Sequence, residues 1–290
     1  MPETWRDVAG PGGVRLRVRI AGDDVAGAPT LLLHHGLASS QRIWDLMLPR
    51  LARRFRVVTY DARGHGVSAK PASGYGFPSV VEDAVAVIRA TRSRRPIVVG
   101  HSWGAMVALE IAARRPRSVA GAVLVDGGVA PIGAGRGWTE VREALAPPRL
   151  AGMPLGAFRS MMPSFFDDAL RVTPEIEAIV LAVMHVRRDG TIRPRLSRAN
   201  HLRILRAIWE QDPLALHTNL RVPALAILAR HSGVAPDPER HRVQRMAVRA
   251  LAASQAPTRV AWMTGVHDLP LQHPDALARR IERFATSTVG

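Results

Sequence analysis

A chain of 290 residues with 47% hydrophobic content can bury one large core or two small ones. The complete lack of cysteine excludes disulfides, metal thiolates and a cysteine nucleophile, and no apolar run approaches the roughly 18–20 residues that span a bilayer. The net charge of +16 is almost wholly arginine, Lys70 being the single lysine. The arginines are scattered, with Arg92-Ser93-Arg94-Arg95 and Arg187-Arg188 as the densest groups and no aromatic-interleaved patch. Solvated faces are therefore expected, and no nucleic-acid partner. The start, Met1-Pro2-Glu3-Thr4-Trp5-Arg6-Asp7, lacks the basic and apolar stretches of a signal peptide, so a cytoplasmic protein without a membrane partner is expected.

Strands and helices alternate from Val14 onward. Residues 14–20 alternate apolar and basic side chains, as a half-exposed edge strand does. Residues 30–34 read as a buried strand, 44–53 as a helix, 56–60 as a strand and 80–89 as a helix. Arg95-Pro96-Ile97-Val98-Val99 is another buried strand, Ala105 to Ala113 a helix, and 119–125 a strand ending in Asp126-Gly127-Gly128. This βαβα rhythm predicts a parallel sheet with helices on both faces. It changes near residue 130, where Pro131-Ile132-Gly133-Ala134-Gly135-Arg136-Gly137 reads as a flexible exit. Segments from 138 to 216 look helical, with prolines at 147, 148, 154, 163, 174, 194 and 213 cutting them short and no strong strand. Strands resume at 222–228 and 259–263, with helices near 240–253 and 274–284. The expected organisation is an α/β core formed by 1–130 and 217–290, interrupted by a helical cap at 131–216. Insertions at the strands' carboxyl ends stand where open α/β sheets hold ligands, so the cap is expected to roof the site.

Gly100-His101-Ser102-Trp103-Gly104 falls between a strand and a helix. A serine between two glycines at such a turn is a nucleophile elbow. The tight turn strains the serine backbone and leaves no room for side chains two residues away, which glycine supplies. The hydroxyl then projects above the sheet near a helix N-terminus, which favours developing negative charge.

Four motifs in order resemble the α/β-hydrolase fold family over essentially the whole chain: His34-His35-Gly36-Leu37, Asp61-Ala62-Arg63-Gly64-His65-Gly66-Val67-Ser68, the elbow, and Gly265-Val266-His267 followed by Pro274. The resemblance implies an α/β-hydrolase fold: a mostly parallel sheet flanked by helices, with an inserted helical cap. It also implies a serine hydrolase that cleaves a carboxylic ester or lactone through an acyl-enzyme, without cofactor. Ser102 is then the nucleophile and His267, in the loop beyond the last strand, its base. The oxyanion hole falls to the backbone N–H groups of Leu37 and Trp103. The third member has two candidates. Most of the family carries the acid after the strand at 222–228, where this chain reads Ala229-Arg230-His231-Ser232-Gly233-Val234-Ala235-Pro236-Asp237, with Asp237 late. Asp126 stands at the other place from which members such as haloalkane dehalogenases and zearalenone lactonases supply it, and is preferred here. Asp268 is expected to point away.

The remaining histidines have simpler readings. His101 packs beneath the nucleophile, and His35 and His65 bond loop backbone. His34 is a satisfied core residue. His185, His201, His217, His231, His241 and His273 lie on cap or surface segments. No spacing supports a metal site. Asp61 and Arg63 are expected to pin their loop. Trp138, Phe158, Met161, Met162, Phe165, Phe166, Met184 and Trp209 make the cap apolar, partly to pack it and partly to line a pocket for an apolar small-molecule substrate. A homo-oligomer is compatible with the sequence. The resemblance also leaves open C–C hydrolysis, perhydrolysis, lyase chemistry or a non-catalytic receptor, against which an intact Ser–His pair argues.

Overall fold

A computed structural model describes residues 3–24, 27–133, 135–166, 169–230, 245, 246, 248, 249, 251, 252 and 254–289. Strands β1 (Glu3–Ala9) and β2 (Arg15–Ala21) form an antiparallel pair. β3 (Leu31–His34), β4 (Val57–Tyr60), β5 (Ile97–His101) and β6 (Gly121–Val125) follow in parallel. After the two short strands of the insertion, β7 (Met184–Val186) and β8 (Ile192–Pro194), the sheet is completed by β9 (Ala224–Arg230) and β10 (Thr258–Thr264). The eight strands lie in the order β1-β2-β4-β3-β5-β6-β9-β10, all parallel from β4 to β10.

Successive side chains along the central strands enter opposite layers, which is why those strands are apolar without a break. Leu32, Val58, Val98, Leu124 and Ala226 pack with α2 (Phe77–Ala90), through Val80 and Ala84, and with α3 (Trp103–Arg114), through Val107 and Ile111. Leu31, Val57, Val99, Val123 and Ile227 pack on the other face with Trp44, Leu48 and Leu51 and with the Leu277 and Ile281 side chains of the C-terminal helix.

Two readings of the first third of the chain are corrected. Residues 14–20 are not the sheet edge, because β1 pairs outside β2. β1 escapes a pattern search because Val8 is its one buried residue; ion pairs from Arg15 and Arg17 to Asp7 and from Arg19 to Glu3 hold its exposed face. The helix expected at 44–53 shrinks to a 3-10 turn at Gln41–Trp44 and α1 (Leu48–Leu51). Pro49 lacks the amide that would bond back to Asp45, so the helix cannot extend towards its N-terminus.

Between β6 and β9 lie α4 (Trp138–Leu145), α5 (Leu155–Met161), α6 (Pro174–Leu181), α7 (Arg198–Glu210) and α8 (Pro213–Thr218). Pro174 and Pro213 open their helices, where a missing amide costs nothing. The expectation of no strand fails at β7 and β8, which form a hairpin. Its turn is built on Asp189, whose carboxylate accepts the Thr191 amide at 2.9 Å, and on Gly190 with φ +78°. Three-residue strands carry too short an alternation to announce themselves, and Asp189-Gly190 was the available signal. Most of the apolar residues of the insertion pack it together. Phe158, Met162 and Met184 form a small core with Leu150 and Ile192, Phe166 joins the main core, and Trp138 and Trp209 lie 6.1 Å apart with Arg206 over both rings. The chain closes with α9 (Leu269–Gln272) and α10 (Pro274–Val289). The helix expected near 240–253 falls largely outside the described residues. No helix among the described residues is long and apolar enough to cross a membrane.

The core holds several histidines that stay neutral. Burial pushes His34 down to about 3, with the His35 charge adding to it. His101 and His217 are pushed down to about 4, burial again being the leading cause. His217, expected on a surface segment, is fully buried against the Gly128 carbonyl, 2.8 Å away. His34 is satisfied only at Nδ1, since no partner among the described residues meets Nε2. An unfolded chain takes up protons at these rings from about pH 6.5 downward, whereas the folded chain does not. Their stabilising contribution is therefore complete above about pH 6.5 and lost as pH falls, at up to about 1.4 kcal/mol per pH unit for each ring. The urea midpoint is expected to drop steeply on acidification from about pH 7 to about pH 5. A level midpoint over that interval would show that these rings titrate as in the unfolded chain.

Candidate active site

β5 delivers Ser102 to the head of α3 with φ +57° and ψ −119°, a conformation that strongly favours glycine. The Ser102 amide donates to the Val125 carbonyl at 2.9 Å, tying the strained residue to the next strand. The glycines on either side are obligatory. A Cβ at Gly100 would fall on the Gly104 carbonyl, and one at Gly104 on the His34 carbonyl. Gly36 is less confined but still close, since a Cβ there would lie 3.2 Å from that of Ser102. The turn carrying Leu37 is thus packed against the elbow, and the Trp103 amide opens the helix beside it.

The Leu37 turn is held by two neutral imidazoles. The Ala62 amide donates to His35 Nε2 at 3.0 Å, which leaves the Nδ1 proton to donate to the Gly36 carbonyl at 2.8 Å. The Ala38 amide donates to His65 Nε2 at 3.3 Å, and His65 Nδ1 donates to the Arg63 carbonyl at 3.0 Å. Ala38 itself is at φ +58°. Asp61 accepts the Gln41 amide at 2.9 Å and the Val67 amide at 3.0 Å, joining the two loops. Arg63 forms a buried two-point pair with Asp83 at 2.6 and 2.7 Å. Sequence reading missed Asp83; its signal was a carboxylate on the face of α2 shared with Val80 and Val87.

Asp126, at φ +44°, follows β6 directly. Its amide donates to the Ile227 carbonyl and its Oδ1 accepts the Ala229 amide, both at 2.8 Å, so β9 fixes the side chain. Oδ2 then lies 2.7 Å from His267 Nδ1. Burial works to raise this carboxyl, but the His267 hydrogen bond and charge, with the Ala229 amide, leave it below the usual carboxylate range. His267 is seated by its neighbours: the Val266 amide donates to Gln272 Oε1 at 2.7 Å, and His101 Nε2 donates to the His267 carbonyl at 3.0 Å. The rings of His101 and His267 lie 4.9 Å apart. Because His101 is bonded to Ser102, this contact across 166 residues sets the imidazole of His267 beside the elbow. The Asp268 backbone carbonyl accepts the Leu271 and Gln272 amides, and its carboxylate is close enough for its charge to act on His101. Asp237 lies outside the described residues, as do His231 and His241.

A cavity of about 320 Å³ lies beyond Leu37, between Ala38, His65 and Gly66 below and Leu150, Met184, Leu196 and His201 of the insertion above. Ser102 and His267 do not line it; Ala38, which does, belongs to the turn whose Gly36 is packed against Ser102. His201, assigned from sequence to the cap or surface, faces this space and is pushed down to about 4 by burial and by Arg198.

An eight-stranded, mostly parallel sheet with a strained serine at a strand-to-helix turn defines the α/β-hydrolase architecture. A model of the alpha/beta hydrolase family matches residues 31–280, and the chain belongs to that family. The 2-(acetamidomethylene)succinate hydrolase of Mesorhizobium japonicum is 35% identical over 115 residues, which is 40% of this chain and 40% of that protein. The chain thus matches only about two fifths of the length of that relative. Among solved structures, E-2-(acetamidomethylene)succinate hydrolase superimposes with a TM-score of 0.78 at 23% identity, covering 98% of this chain and 99% of that one. The enol-lactonase of Burkholderia xenovorans LB400 gives a TM-score of 0.71 at 20% identity, with 97% and 100% covered. At these identities the likeness is one of fold.

Proposed function

We propose that the chain is a cofactor-independent serine hydrolase that cleaves a carboxylic ester or lactone through an acyl-enzyme. The reading rests on the 2.7 Å hydrogen bond between His267 and Asp126, beside a serine held at φ +57°. With Nδ1–H committed to the carboxylate, His267 Nε2 is left as a proton acceptor. Ser102 Oγ attacks the carbonyl carbon while Nε2 takes its proton, and the carbonyl oxygen becomes an oxyanion facing the Leu37 and Trp103 amides. Each such donor is worth about 3 kcal/mol to the transition state. Collapse of the tetrahedral intermediate expels the alcohol, or opens the lactone ring, with the proton returned from Nε2. Water then loses a proton to the same imidazole, attacks the acyl carbon and releases the acid, restoring Ser102. Residues 131–216 act as the cap over this chemistry.

The test is turnover of p-nitrophenyl esters of graded acyl length, with an aliphatic lactone beside them. A relative named for hydrolysing 2-(acetamidomethylene)succinate carries a second reading, in which the same serine and histidine act on a bond other than an ester. That compound belongs in the panel, and its exclusive turnover would replace the ester reading.

The pH dependence separates the imidazole from its neighbours. Asp126 is held below the usual carboxylate range, and His101 at about 4, so neither titrates near neutrality. An acid limb in kcat/KM is therefore expected from His267, whose Nε2 must be unprotonated to act as the base. It is to be measured where circular dichroism shows the fold intact. Activity that persists unchanged to about pH 5 would remove His267 as the base.

A further inference from the structure

Beside the cavity above Ala38, the inner chamber, lies an outer chamber of about 710 Å³, and the two share Pro148, Leu150, Pro194, Arg195, Leu196 and Arg198 along their common border. The inner chamber is walled mainly by apolar side chains, whereas the outer one is bordered by Lys70, Arg149, Arg193, Arg195 and Arg198. No aspartate or glutamate is among the described residues lining either chamber. Elsewhere the arginines of this chain commonly meet carboxylates, as Arg19, Arg63 and Arg159 do. Here none of the five cations has an ion pair among the described residues. Three of them are instead fixed by carbonyl oxygens: Lys70 donates to the Gly66 and Ser68 carbonyls at 3.1 and 2.9 Å, Arg195 Nε donates to the Ala182 carbonyl at 3.0 Å, and the Arg198 guanidinium donates to the Pro147 carbonyl. Their charges are thereby positioned without being neutralised. The Lys70 ammonium is held below its ordinary value, by partial desolvation first and then by Arg195, Arg15 and Arg193, with Asp61 pulling the other way. The thirteen-residue helix α7 also begins at this wall, adding the positive end of its dipole.

An apolar chamber adjoining one bordered by unneutralised, anchored cations fits a chain with an anionic end. We infer that the outer chamber is a subsite for a carboxylate or phosphate group at the distal end of the substrate, whose apolar middle occupies the inner chamber. The inference rests on the ester-hydrolase reading and adds to it the class of substrate.

The experiment compares p-nitrophenyl monoesters of adipic to azelaic acid with neutral p-nitrophenyl alkanoates of equal length, and with p-nitrophenyl 6-phosphonohexanoate. At one chain length the anionic ester is expected to show a kcat/KM roughly tenfold above its neutral counterpart, declining as salt screens the charges. The carboxylate and phosphonate arms decide which anion is preferred. The triple variant Arg149→Gln, Arg193→Gln, Arg195→Gln should erase the preference. Should it fold poorly, Arg149→Gln with Arg193→Gln, both exposed residues, should reduce the preference. A matched removal of three exposed charges far away, Arg53→Gln, Arg54→Gln and Arg117→Gln, should keep it. Equal kcat/KM for anionic and neutral esters at every length overturns the subsite, as does a loss equally produced by the distant variant, which would trace to net charge. If neutral esters are not turned over in a Ser102-dependent way, the ester reading fails on its own. Calorimetric binding of pimelate and 6-phosphonohexanoate to the wild type and the triple variant then decides the subsite, and absent or unchanged binding overturns it.

Discussion

Replacing Ser102 with alanine is expected to lower kcat on a p-nitrophenyl ester by a factor on the order of 10⁶. The size follows from the chemistry: without Oγ no acyl-enzyme forms, and His267 has no proton to take from a nucleophile. The substitution isolates that atom. Alanine accepts the same backbone position, and the amide bond from residue 102 to the Val125 carbonyl does not involve the side chain. Strain at φ +57° costs about 1–3 kcal/mol with either residue, so the melting temperature should barely move. A variant that keeps most of its esterase activity would show that another group attacks the carbonyl.

The second large effect is expected at Asp126. Asparagine can still accept the Ala229 amide through its oxygen, so the turn after β6 should survive. Its amide nitrogen would then face His267 Nδ1, where the wild type has Oδ2 at 2.7 Å. Donor meets donor unless the imidazole moves its proton to Nε2, and that tautomer cannot accept from Ser102. A loss of up to about 10⁴ in kcat follows, with KM little changed. Asp237→Asn is the matched comparison and should leave kcat near the wild-type value. The opposite ranking of the two variants would transfer the carboxylate role to residue 237.

Most of the architecture was legible because it depends on short-range pattern. Buried parallel strands need unbroken apolar runs, and Leu31–His34, Val57–Tyr60, Ile97–His101 and Gly121–Val125 supply them within two residues of their expected bounds. The elbow was equally plain, since only glycine fits at 100 and 104 once the chain turns so sharply. Elements stabilised from outside themselves escaped. β1 exists through pairing with β2 and through ion pairs to Arg15, Arg17 and Arg19, which leave no hydrophobic alternation along the strand. The hairpin of β7 and β8 rests on a turn and on packing of Met184 and Ile192 into a local core. The buried state of His217 depends on Gly128, 89 residues away in the chain.

From its own residues this chain determined a parallel α/β sheet, the strained turn at Ser102 and the glycine loops around it, because local sterics and side-chain periodicity are written in adjacent residues. Only the tertiary structure decided that the carboxylate of Asp126 stands against His267, that Arg63 is balanced by Asp83, and that five cations from separate segments gather at one opening. Those relations depend on how distant segments are brought together, and charges or hydrogen bonds across such distances impose no pattern on the residues beside them.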